Sequence, residues 1–242
     1  MQVVGSYLPV AVPEVVAIGE PAFGFTELWS IVRWQSGEHP ETCSPADSPK
    51  PERLQLAAEL AQIVIAFRQI EPSSEALDDR QLRRHYRGRA LVDHDSQMRQ
   101  NIENCRSIEG LNLDLDAALT VWEQALELPG ADKAIENYRW FHGDIVAENL
   151  LLKDGHLTGL LDFGGIGLGD PTVDLHGAWE LLDAPAREEF RSRLDIDESE
   201  WLRGRAWALA IALMTFPYYW TTMPNRIKDR LAMVRSVLAD FG

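Results

Sequence analysis

Long apolar stretches at helical spacing make up most of the chain, with a few short runs that read as strands. Pro51 to Ile70, PERLQLAAELAQIVIAFRQI, places Leu54, Ala57, Ala58, Leu60, Ala61, Val64, Ile65 and Phe67 on one broad face, with a proline suited to the first turn, which predicts a helix. Ser107 to Leu128 predicts another, with Ala117, Val121, Trp122 and Leu126 inward and Pro129-Gly130 as its stop. Ala206 to Trp220, AWALAIALMTFPYYW, is the longest apolar run. Pro217 interrupts it, and it is shorter than the roughly 20 residues a membrane span needs, so it predicts a buried helix. Two further helices are expected around 185–194 and 225–239. Strand-like runs occur at Val10 to Gly19 and Leu28 to Gln35, and at 149–153 and 156–162, where the intervening Asp154-Gly155 predicts a tight hairpin. Trp122, Trp201 and Trp207 read as core.

Composition narrows the class. With 242 residues, 45% of them hydrophobic and eight tryptophans, the chain can bury a large core with a small appendage. A formal charge of −15 disfavours nucleic acid, whose phosphates it would repel, and is compatible with a cationic ligand. Cys43 and Cys105 form no metal or redox motif, so a reducing, cytoplasmic setting is expected. The N-terminus has no positively charged leader and carries Pro9 and Pro13, against a signal peptide, and no membrane partner is expected. Arg80 to Arg89, RQLRRHYRGR, carries five arginines and reads as a solvated or ion-paired surface loop, with anion attraction near a cleft as the alternative.

Chemistry concentrates between His142 and Asp174, HGDIVAENLLLKDGHLTGLLDFGGIGLGDPTVD. If Lys153 faces His156 across the turn, residue 149 lies opposite residue 160. Asp162 then shares the face of Asn149 at a diagonal of roughly 7–8 Å. A carboxylate and an amide oxygen so placed suit a magnesium ion, which keeps several waters and accepts nucleotide phosphates. An ordinary polar hairpin end is the plainer alternative. The run GGIGLG at 164–169 fits neither GxGxxG nor GxxxxGK[ST] and reads as a flexible segment after the ion ligand. Asp170-Pro171 predicts a helix start, with Asp as cap and Pro at the first position, running through Leu175, Trp179 and Leu182.

The succession of His142-Gly143-Asp144, Asn149, Asp162-Phe163-Gly164 and Asp170-Pro171 with Asp174 resembles the aminoglycoside phosphotransferase family, the small-molecule branch of the protein-kinase-like fold. The resemblance implies an α+β fold with a mainly helical large lobe and a small β-lobe. It also implies transfer of the terminal phosphate of ATP or GTP to a hydroxyl of a small molecule, an aminoglycoside or related antibiotic being one candidate. Asp144 would be the base that takes the hydroxyl proton. Asn149 and Asp162 would hold Mg2+, and His142, Asp170 and Asp174 would support the loop. The family commonly reads HGDxHPGN, whereas here Val146, Ala147 and Glu148 precede Asn149, which removes a Pro-Gly turn and adds a carboxylate. Glu148 reads as a solvated loop acid, with contact to a cationic substrate as the alternative.

The start of the chain departs further from that pattern. The first lysine is Lys50, and residues 1–49 hold no Gly-rich loop between strands. Set against the family, residues 1–36 are expected to be a remnant of the small lobe, with Arg33, Trp34 and Gln35 as the hinge that meets the base of the nucleotide, and 37–242 the large lobe. Two functional readings follow: a small-molecule kinase, or a truncated, non-catalytic relative that folds and binds ligand without turnover. The acceptor and the oligomeric state are not legible.

Overall fold

A computed structural model describes residues 2–132 and 138–241. A short helix, α1 (Gln2–Gly5), buries Val4 in the main core. Strands β1 (Val15–Gly19) and β2 (Trp29–Val32) then pair antiparallel. The expected strand from Val10 is shorter than its apolar run, since Pro13 cannot donate to a ladder. Residues either side of this hairpin anchor it below: Ala11 N donates to Thr158 O (2.9 Å) and Glu38 N to Leu152 O (2.9 Å).

Helix α2 (Pro51–Gln69) is present with Pro51 in its first turn, but its buried face is 53/56/57/60/61/63/64/67. Leu54, expected inward, is exposed, because the helix turns Leu56 and Ile63 toward its neighbours instead. The Arg80–Arg89 segment lies largely at the surface and is ion-paired, as expected, but it is not a loop. After α3 (Ser74–Asp78), it forms α4 (Arg80–Arg84), begun by Asp79 accepting from Gln81 N, and a 3-10 turn at Tyr86–Gly88. Helix α5 (Asp95–Arg106) goes unpredicted because only Met98, Ile102 and Cys105 mark its inner face. Helix α6 (Leu115–Leu126) starts at Leu115, not Ser107, since the Asp114 side chain caps it by accepting from Ala117 N (2.9 Å). Its buried positions are Leu115, Ala118, Val121, Trp122 and Ala125, so Ala117 and Leu126 lie at the edge of the contact.

Strand β3 (Arg139–Phe141) pairs antiparallel with β6 (Gly167–Gly169), and β4 (Leu150–Lys153) with β5 (His156–Leu160). The Asp154-Gly155 turn has both residues at positive φ (54° and 80°), the mirror-image turn that suits a hairpin's twist. The expected register holds at the turn, where Lys153 faces His156, and is off by one at the far end. A bulge sits opposite Leu151/Leu152, so Leu150 pairs with Leu160, and Leu161 N donates to Asn149 O (2.7 Å). The second half of the GGIGLG segment is an ordered strand, β6, wholly buried. None of its glycines has positive φ. At Gly169 a Cβ would stand 2.1 Å from Gly88 O, and at Gly167 2.6 Å from the Phe141 ring, so at these two positions glycine supplies room and not unusual angles.

From Asp170 the chain runs first as a 3-10 helix (Pro171–Gly177) and then as one α-turn, α7 (Ala178–Leu181), a tighter form than the single helix expected. Helices α8 (Ala184–Arg193), α9 (Glu198–Tyr219) and α10 (Pro224–Ala239) follow. Helix α9 packs on residues 171–177, where Gly204 leaves room for Leu175, whose Cβ would be 2.5 Å from any added one. Trp122, Trp201 and Trp207 are all core. No described helix is long and apolar enough to cross a membrane.

Candidate active site

The β3–β6 pairing decides what the motif residues meet. It brings the loop after β3, His142-Gly143-Asp144, against the loop before β6, Asp162 to Gly165, and the backbones approach so closely that a Cβ on Gly165 would lie 3.0 Å from His142 O. Gly143 sits at φ +83°, an angle L side chains resist. Buried Asp174 accepts from His142 N (2.8 Å) and Gly143 N (2.6 Å), which fixes this turn from behind. Burial pushes the Asp174 carboxyl up to about 7, against the two backbone N–H groups that favour its charge.

His142 is also buried, and burial pushes its ring down to about 4, so it is neutral at pH 7. Its Nε2 lies 3.0 Å from Leu161 O, an acceptor only, so Nε2 carries the proton and Nδ1 accepts from Asp144 N at 3.2 Å. One ring thereby ties the Asp144 backbone to the end of β5. Asp170 accepts from Thr172 N (3.0 Å) and faces Arg203 Nε (3.4 Å).

Both carboxylate oxygens of Asp144 are engaged. Oδ1 accepts from Arg87 Nη1 (2.5 Å), which also reaches Gly143 O (2.5 Å). Oδ2 accepts from Asn149 Nδ2 (3.1 Å), and the same amide nitrogen donates to Asp144 O (2.9 Å). Burial alone would raise the Asp144 pKa, but the Arg87 guanidinium beside it holds it below the ordinary carboxylate value. The bonds to Asp144 fix which end of the Asn149 amide is nitrogen and leave its oxygen free. Asp162 reaches the same cavity by another route than the expected pleat. A one-residue shift would turn it to the other face, but its backbone is left-handed (φ 55°), with Oδ1 accepting from Gly164 N (3.2 Å).

Asp144, Asn149 and Asp162 line one cavity of about 670 Å³, with α9 and α10 supplying the facing wall through Tyr218, Tyr219, Arg226 and Arg230. Glu148 is exposed, as a solvated loop acid would be, but it is also ion-paired: it bonds Arg226 (2.5 Å) and lies 3.7 Å from Arg230, whose other partner is buried Glu180. Arg33, Trp34 and Gln35 do not reach this cavity. Arg33 bonds exposed Glu14 (2.6 Å), Trp34 is exposed, and Gln35 Nε2 donates to Val12 O (2.6 Å). The guanidiniums of Arg87, Arg226 and Arg230 were not among the expected site residues. The arginine run at 80–89 and the i,i+4 pair on α10 were the available signals.

Comparison with known proteins agrees with this architecture. The sequence model of the "Phosphotransferase enzyme family" matches residues 1–208. No curated protein matches the chain in sequence. Among solved structures, the GDP complex of aminoglycoside 2'-phosphotransferase-IIIa superposes with a TM-score of 0.67 at 16% identity, covering 100% of this chain and 80% of that one. ADP-bound aminoglycoside phosphotransferase APH(2'')-Ib gives 0.54 at 17% identity, covering 97% and 78%. Macrolide 2'-phosphotransferase MphH from Brachybacterium faecium gives 0.55 at 17% identity, covering 98% and 76%. The likeness is one of fold: the α+β, protein-kinase-like fold of aminoglycoside phosphotransferases.

Proposed function

The chain belongs to the phosphotransferase enzyme family, and we propose that it moves the terminal phosphate of ATP or GTP onto a hydroxyl of a small molecule. The observation that carries this reading is the shared cavity wall of Asp144, Asn149 and Asp162. Asp144, kept ionised beside Arg87, is the base for the acceptor hydroxyl. His142 and Asp174 hold its loop, and Asp170 with Arg203 braces the segment behind.

The Asn149 amide oxygen and the Asp162 carboxylate are the groups that would hold Mg2+. Among the described residues no cluster of three or more His, Cys, Asp or Glu could hold a metal alone. That donor set suits magnesium, which binds through one or two protein oxygens together with phosphates and water, and which supplies charge neutralisation at the phosphates when bound. Arg87 gives the entering phosphates a further cation. Its exchange from Asp144 to phosphate would free Oδ1 for the hydroxyl. Residues 1–36 are taken as the nucleotide-side lobe, with 33–35 meeting the base, and 37–242 as the lobe that binds the acceptor. That similar folds are crystallised with GDP and ADP supports a nucleotide donor. Two free, buried cysteines suit a cytoplasmic setting.

The test is transfer of labelled terminal phosphate from ATP or GTP, with magnesium, to a panel of hydroxyl compounds. Asp144→Asn is expected to lower turnover by about 10³-fold, within the range for a lost general base. Nucleotide binding by the unmodified chain with no transfer to any acceptor would instead support the reading as a non-catalytic relative.

A further inference from the structure

The facing wall of the cavity restricts what can sit there. Its charged lining residues are Arg87, Arg226 and Arg230 against Asp144, Glu148 and Asp162. Asp144 is held by Arg87 at 2.5 Å, and Glu148 by Arg226 at 2.5 Å with Arg230 3.7 Å away. Only Asp162 lacks a cation among these carboxylates, and it is the group assigned to the ion. An ammonium-rich acceptor would have to break one of these pairs to find a carboxylate, leaving a partly buried guanidinium without its partner.

Beside this cavity lies a second, apolar cleft of about 60 Å³, with Tyr86, Ile211 and Met214 common to both. Met98, Ala210 and Trp207 are among its other lining residues. Trp207 is 2% exposed, and its indole Nε1 has no hydrogen-bond partner among the described residues. His94, packed edge-on to Trp207 with ring centroids 5.0 Å apart, likewise leaves Nε2 without one. Both nitrogens are themselves buried, so a group in the cleft meets mainly apolar surface. An apolar cleft that opens beside the candidate base is matched by a short apolar group on the acceptor.

We propose that the acceptor is an uncharged hydroxyl compound with a short apolar arm, and that the arm enters the cleft between Tyr86 and Met214 toward Trp207. The placement of its hydroxyl at Asp144 rests on the phosphotransfer reading. The cleft and the paired charges do not. Arg226 acts here as a specificity residue, by occupying Glu148.

Calorimetry on the full chain with ADP and magnesium tests this, using methyl, propyl, butyl and hexyl glucosides beside kanamycin. Affinity is expected to rise about fourfold per methylene until the cleft is filled, and kanamycin to show no saturable binding. Ala210→Phe, which fills the cleft from a position outside the Asp144 cavity, is expected to abolish the chain-length dependence while leaving methyl glucoside binding unchanged. Ala210→Leu, a smaller change at the same position, provides the same loss should the phenylalanine disturb folding. Arg226→Ala frees Glu148 and is expected to raise kanamycin affinity at least tenfold. A flat alkyl series, or kanamycin binding tighter than every glucoside, would overturn the proposal. Chain-length-dependent binding without phosphate transfer would count against the phosphotransfer reading alone, and transfer without chain-length dependence against this proposal alone.

Discussion

The segment 139–174 and the hairpin 15–32 are both short strands joined by loops, yet they are held in opposite ways. In the first, each bend has a partner: Asp174 grips two successive amides, His142 joins residue 144 to residue 161, and β6 lies against Gly88 with no room for a methyl group. In the second, every residue of β2 is exposed, and apolar Ile18 and Ile31 stand in solvent on strands paired only with each other. A two-stranded hairpin without a packed face is marginal in water. Positional accuracy therefore resides in the segment that carries Asp144, Asn149 and Asp162, and the hairpin contributes little to it.

The largest effect that could break this comparison is steric. Gly169→Ala puts a Cβ 2.1 Å from Gly88 O, in backbone that cannot step aside. It is expected to cost about 3 kcal/mol or more, as overpacking of a rigid core does. Gly24→Ala, in the loop between β1 and β2, meets nothing within 4 Å and bears only its φ of +86°. Its cost is expected near the 1–2 kcal/mol of a left-handed L residue, roughly. Equal losses in denaturant melts would mean that the two regions are equally constrained.

A second effect comes from acid. The His142 ring is held near 4 in the folded state against 6.5 unfolded, so between these values the unfolded chain takes up a proton that the folded chain refuses. Its contribution to stability is fully present above pH 6.5 and is lost as pH falls to 4, by about 3 kcal/mol at 1.36 kcal/mol per unit. Asp174 works in the other direction: held near 7 against 3.8, it contributes at low pH and loses that contribution as pH rises through 7. His142→Gln retains Asp174, so subtraction isolates the histidine. The stability advantage of the unmodified chain over this variant is expected to shrink steadily from pH 6.5 to 4, and a constant difference would show that His142 does not stay neutral.

What the sequence made legible in the better-held region was local. The Asp154-Gly155 turn, the cap at Asp170 and the succession of Asp144, Asn149 and Asp162 all depend on neighbours within a few residues. What escaped was set by contacts between distant segments. Arg87 meets Asp144 across 57 positions, only because β6 carries the 86–88 turn to the mouth of the cavity. The bulge in β5 escaped because alternation assumes a regular pleat, whereas Thr158 Oγ1 turns back onto Leu151 O (3.2 Å). The ion pairs of exposed Glu148 escaped for the same reason: its partners lie on α10, at the far end of the chain.

Arg87 offers a smaller effect, confined to the site. If its guanidinium passes from Asp144 to the nucleotide, Arg87→Met is expected to raise the KM for nucleotide about tenfold, the size of a charge-assisted hydrogen bond. The acid limb of kcat/KM should also move to higher pH, because the cation that lowers the Asp144 pKa in the free chain is gone. A change in KM with an unmoved acid limb would separate phosphate binding from any hold on the carboxylate.

The smallest effect is expected where the apolar side chains are most conspicuous. Ile31→Ser and Trp34→Ser remove large apolar groups that are 52% and 88% exposed, so little burial is lost. Each is expected to change global stability by no more than about 0.5 kcal/mol, in line with surface substitutions. The same weakness has a local signature: amides of β1 and β2 should exchange with solvent deuterium far faster than those of Phe141 and Leu168, because opening the hairpin exposes almost nothing that is not already wet. Protection of the hairpin equal to that of β3 and β6 would mean that its apolar faces are covered in solution, and the contrast between the two regions would then lie in what covers the hairpin and not in how it is built.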